Sequence, residues 1–83
     1  MRTDWFMVMG MGYSANVRMA VTARVSEEEG IDTLYDILRN DPDAERAHLL
    51  RSQVTEYGLR KWMPVKTVRR ARDGELLEQG PLK

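Results

Sequence analysis

Apolar and polar residues alternate along two early stretches of the chain, and the period then changes. From Val17 to Val25, Val17, Met19, Val21, Ala23 and Val25 share one side, while Arg18, Ala20, Thr22 and Arg24 share the other. That period of two predicts a strand. The stretch WFMVMGMGY, Trp5 to Tyr13, also reads as a strand, yet it carries no charge on either side. Trp5, Met7, Met9 and Met11 alternate there with Phe6, Val8, Gly10 and Gly12. A strand that covers a core on one face only should show polar residues on the other. The pattern therefore asks what covers its second side.

Beyond Val25 the period becomes helical. Ser26 predicts an N-cap, with Glu29 completing a capping box. Ile31, Leu34, Tyr35 and Leu38 follow at helical spacing, which predicts a first helix of about Glu27 to Arg39. In NDPDAER, Asp41 suits a cap and Pro42 the first helical position. A second helix is expected to run to about Tyr57, burying Ala44, Ala47, Leu50, Val54 and Tyr57, with Gly58 as its left-handed terminator. Asp73-Gly74 signals a two-residue turn, hence a closing hairpin of Val65 to Arg72 against Glu75 to Gln79. The expected order is ββααββ: one α+β domain over residues 1–83, an antiparallel sheet with two helices packed on one face.

The loop between the first two strands decides which face the methionines occupy. Opposed residues of a hairpin have numbers of constant sum and point to the same face. An even sum sets Trp5 and the methionines beside Val17, Met19 and Val21; an odd sum sets them beside Arg18, Thr22 and Arg24. A three-residue loop, Ser14-Ala15-Asn16, gives the even sum and places Asn at the left-handed third position, which Asn tolerates better than Ala. Turn preference therefore favours the even register, with the methionines as core filling. A four-residue loop restores the odd sum, in which Trp5 and three methionines lie exposed. Two helices, each with one apolar stripe, cannot cover both faces of the sheet in either case.

Composition narrows the chemistry. The chain has 83 residues, no cysteine and a single histidine, so disulfides, thiolate metal sites and histidine-rich metal sites are excluded. No segment is long and apolar enough to span a bilayer, and Trp5 to Tyr13 lacks a signal-peptide cleavage site, so the expectation is a cytoplasmic protein with no membrane partner. Net charge is zero but unevenly spread: Ser26 to Glu45 holds eight acids against Arg39, and Arg60 to Lys83 holds seven bases against three acids. Such asymmetry suits a nucleic-acid face or attraction between copies.

No motif points to catalysis. The fragment GMG is followed by another strand and not by the helix a phosphate loop needs, so it reads as glycine in a closely approached strand. His48 with Glu45, or with Ser52, forms at most part of a metal or nucleophile site. The run Glu27, Glu28, Glu29 suits the first turn of a helix without any cation. The expectation is a non-enzymatic accessory module with no catalytic residue, metal or cofactor. It binds a protein partner or a second copy through its N-terminal hairpin, at Trp5, Phe6, Val8, Arg18 and Arg24. By analogy, phages and mobile elements carry small accessory proteins of this kind. The alternative is phosphate-backbone binding by the basic closing hairpin, winged-helix-like, at Arg60, Lys61, Lys66 and Arg70.

Overall fold

The computed structural model describes residues 4–80. They form β1 (Asp4–Gly12), β2 (Val17–Val25), α1 (Glu27–Asn40), β3 (Ala44–Val54), β4 (Arg60–Arg70) and β5 (Leu76–Gln79). All neighbouring strands pair antiparallel in one sheet of order β2-β1-β3-β4-β5. α1 crosses one face of that sheet, over β1, β3 and β4. The expected ββααββ order with two helices is thus corrected to ββαβββ: the segment read as a second helix is a central strand, and the fold is mostly sheet.

The physical reason lies in β3 and the turn before it. Ala44, Ala47, Leu50 and Val54 fit a helical spacing, and Ala, Glu, Arg and Leu favour helix locally. The same stretch also fits a period of two, with Ala47 and Leu49 buried beneath α1 and His48 and Leu50 on the opposite side. Asp41-Pro42-Asp43 serves as a turn. The Asp41 N–H closes α1 on the Ile37 carbonyl, the Ala44 N–H donates to the Asp41 carbonyl, and Asp41 Oδ1 accepts from the Asp43 N–H. β3 then pairs with β1 on one side and β4 on the other. Two full strand pairings outweigh the local helical preference.

Three hairpin loops share one geometry. The N–H groups of Ala15, Gly58 and Gly74 donate to the carbonyls of Gly12, Thr55 and Ala71, whose own N–H groups donate to Asn16, Leu59 and Glu75. Each is a three-residue turn whose last residue has positive φ: 59° at Ala15, 79° at Gly58 and 90° at Gly74. The first loop is therefore Tyr13-Ser14-Ala15, and Ala15, not Asn16, takes the left-handed position. Its even sum survives only to the Met11–Val17 pair, because Arg18 is bulged out of the ladder. From Gly10–Met19 onward the sum is odd, as in Val8–Val21 and Trp5–Arg24. One bulge reverses the parity of a whole strand. The favoured even register is overturned, and the methionines face away from α1. Gly58, expected to end a helix, instead joins β3 to β4. The Asp73-Gly74 loop has three residues and not two; a two-residue turn would set Arg69 opposite Glu78, whereas the observed turn sets it opposite Leu77.

Under α1 the core gathers Phe6, Val8, Ala47, Leu49 and Val68 from the sheet with Leu34, Ile37 and Leu38 from the helix. The helix matches its sequence signals, with Ser26 Oγ accepting from the Glu29 N–H at 3.2 Å. Two glycines set how closely it lies. A Cβ on Gly10 would stand 2.9 Å from Ile37 Cγ2, and one on Gly30 2.7 Å from Leu49 Cδ1. The sequence reads Gly10 as a strand glycine of close approach; the favoured even register sets it on the uncovered face, and the structure sets it against α1 instead.

Candidate binding surface

Nothing in residues 4–80 covers the face opposite α1. Period-two geometry places Trp5, Met7, Met9 and Met11 of β1 there, with Ala20, Thr22 and Arg24 on one side. On the other side lie Arg46, His48, Leu50 and Ser52 of β3, then Trp62, Pro64, Thr67 and Arg69 of β4. The centre is apolar and the periphery cationic. Among the described residues, Glu45 of β3 is the one strand carboxylate that reaches this face. Glu45, in the bulge before Arg46, lies 3.2 Å from the Arg46 Nε. The acids Glu28, Asp32 and Asp36 are exposed on α1, in the other layer.

The five residues expected to bind a partner separate into different roles. Trp5 is 44 % exposed and lies beside the methionines, with Arg24 exposed next to it. Phe6 and Val8, at 1 % and 3 % exposed, are core residues beneath α1 and cannot touch a partner. That part of the expectation is corrected, because the odd register turned them inward. Arg18 Nε lies 2.6 Å from Asp41 Oδ2, with Asp43 at 3.8 Å, so it ties β2 to the end of α1. Its hydrogen bond holds the Asp41 carboxyl below the usual range, against partial desolvation.

The four residues of the alternative reading do not form one surface, and that set is corrected too. Arg60 lies over the open face, its Nη1 donating to Ser52 Oγ at 2.6 Å. Lys61 pairs with Gln53 on the helix side. Lys66, also on that side, meets Glu78 at 3.1 Å, and Glu78 also accepts from the Tyr35 hydroxyl at 2.9 Å. Arg70 is consumed inside the fold, donating to the carbonyls of Leu38, Asp41 and Ala44. Sequence reasoning missed Trp62, Arg46 and Arg69 as members of one face. Their only local signal is alternation along β3 and β4, which the helical assignment obscured. At the Met11 end a cleft of about 540 Å³ is lined by Tyr13, Glu45, Arg69, Arg70 and Arg72.

His48 and Ser52, which a helix would bring one turn apart, stand about 13 Å apart along a strand. His48 Nδ1 instead meets Thr67 Oγ1 at 2.8 Å. Burial, reinforced by the nearby charge of Arg46, holds its imidazole below the ordinary value. The folded state thus binds fewer protons than the unfolded chain in this range. Stability is complete above the unfolded value of about 6.5 and is lost as pH falls through it toward the folded value. Asp41 and Glu78, both held low by their cationic partners, lose their contribution only at lower pH. Thermal midpoints are expected to drop between about pH 7.5 and pH 5, and His48→Gln to remove that step.

Comparison of the chain with family models, curated proteins and solved structures finds no match. Among the described residues no helix is long and apolar enough to cross a membrane. Among them, too, no group of three or more His, Asp and Glu side chains is placed to hold a metal ion.

Proposed function

We propose that this protein acts by binding, not chemistry, and that its N-terminal hairpin pairs with the same hairpin of a second copy. The supporting observation is β2, a nine-residue edge strand lying outside the cover of α1. Its helix-side residues Met19 and Val21 are each 47 % exposed. A free strand edge is a template for another strand. The sheet's other edge, β5, has only four residues and cannot match it. Pairing β2 to β5 of the next copy would also propagate without closing, whereas β2 to β2 closes on a two-fold axis.

The side chains of β2 admit a two-fold pairing of this kind. With Ala20 on the axis, Met19 stands opposite Val21 of the second copy and Arg18 opposite Thr22. No arginine then faces another arginine across the axis. Met19 and Val21 from both copies fill the gap between the two α1 helices, which lie on the same side of a ten-stranded sheet. Arg18, neutralised by Asp41, does not guard the edge.

Solution mass measured against concentration tests this. The expected result is twice the 9.6 kDa chain mass. Val21→Lys is expected to give a folded monomer with an unchanged circular dichroism spectrum, because Val21 lies outside the core. A single-chain mass up to ~1 mM, equivalent to less than about 4 kcal/mol of association, would sink the proposal.

A further inference from the structure

One transverse row of side chains crosses four strands of the open face. Arg24 of β2 stands opposite Trp5 of β1. One step beyond the Phe6–Arg51 pair, Trp5 comes level with Ser52 of β3, and Ser52 stands opposite Trp62 of β4. The two indoles are separated by one strand, about 10 Å, and the Arg60 guanidinium rests on Ser52 between them. Among the described residues, no carboxylate forms a salt bridge with Arg24, Arg60 or Arg69.

We propose that this row binds single-stranded nucleic acid, with bases stacked on Trp5 and Trp62 and the backbone drawn along by Arg24, Arg60 and Arg69. Three features carry the assignment. A face with four arginines against one carboxylate, Glu45 beside Arg46, fits a polyanion and repels a copy of itself. Its centre is aromatic and apolar, and phosphates alone would leave that centre wet. Only a polyanion that also presents flat apolar surfaces satisfies both. A duplex hides those surfaces in its stack, whereas a single strand can lay its bases on sheet aromatics. The row reaches β2 through Arg24, whose side chain stands on the open face and not among the backbone groups that pair in the dimer, so it works in monomer or dimer.

Trp5 and Trp62 are the two tryptophans of the chain, so intrinsic fluorescence reads the row directly. Single-stranded oligonucleotides of ~12 nucleotides, DNA and RNA in separate arms, are expected to quench it. With about three phosphates engaged, affinity falls roughly 20-fold between 50 and 200 mM salt. Trp5→Ala and Trp62→Ala each weaken binding roughly 10- to 100-fold, followed by anisotropy of a labelled strand. Arg24→Gln and Arg69→Gln, which replace exposed side chains without a salt-bridge partner among the described residues, each lower the salt slope by about 0.7. The proposal is overturned by an absent quench at 50 mM salt or by equal affinity for a duplex. Wild-type binding by both arginine variants also overturns it. So does equal competition from polyglutamate, which would assign the face to an acidic protein segment. Val21→Lys, which disrupts only the edge, is expected to retain binding and so separates this failure from failure of the dimer.

Discussion

Phe6→Ala is expected to lower stability by about 3–5 kcal/mol, and Phe6→Glu to leave the chain unfolded. Phe6 is 1 % exposed and packs in the single core with Val8, Leu34, Leu38, Leu49 and Val68. At roughly 0.05–0.15 kcal/mol per residue, a domain of this length holds on the order of 4–12 kcal/mol in total. Truncating the ring therefore removes a large share of the margin, and a carboxylate adds the cost of an unpaired buried charge. The Arg51 guanidinium lies 5.5 Å from the ring centroid but is engaged by Glu27 at 2.9 Å, so it does not rescue a buried glutamate. Urea denaturation followed by circular dichroism checks both variants. A folded, monomeric Phe6→Glu protein, the outcome a surface role would give, would contradict the inward register of β1. Trp5→Glu, one residue away on the opposite face, is expected to stay folded.

Arg70→Met carries the second large effect, a loss of about 2–4 kcal/mol. Arg70 Nη2 donates to the carbonyls of Leu38 and Asp41, and its Nε donates to that of Ala44 at 3.2 Å. One guanidinium thus satisfies carbonyls at the end of α1, in the turn and at the start of β3. It also places a positive charge at the negative end of the helix dipole. A methionine keeps the apolar stem and removes a donor from all three carbonyls, of which only that of Asp41 still accepts from the Ala44 N–H. Arg70→Lys is expected to recover little, because an ammonium lacks the planar fork that reaches all three. Urea midpoints together with amide exchange in the last turn of α1 test this. Unchanged exchange there would show that the carbonyls are satisfied by water instead. Loss of nucleic-acid binding in an Arg70 variant would report unfolding, not a lost phosphate contact.

Sequence reading placed Arg70 on a phosphate backbone and left Arg69 out of that set, and burial reverses the two roles. In a strand they point to opposite faces. Arg70 becomes an internal staple and Arg69 is left facing solvent, with no carboxylate opposite because the turn after it has three residues. Nothing local to the run VRRAR distinguishes them.

Local chemistry in the sequence determined the two strands of the first hairpin, the Ser26 cap and the span of α1. Those features depend on neighbours within a few residues, so they can be read without knowing the rest of the chain. It also determined that one sheet face would lack cover, since the helical stripes are too few for two faces. Long-range pairing decided the rest. β3 is a strand because two other strands flank it, although its own residues suit a helix. The methionines face outward because a single bulge at Arg18 reverses the hairpin's parity, and no local preference encodes that reversal. The fate of each arginine followed from that register, since an ion pair exists only once the fold has set both partners side by side.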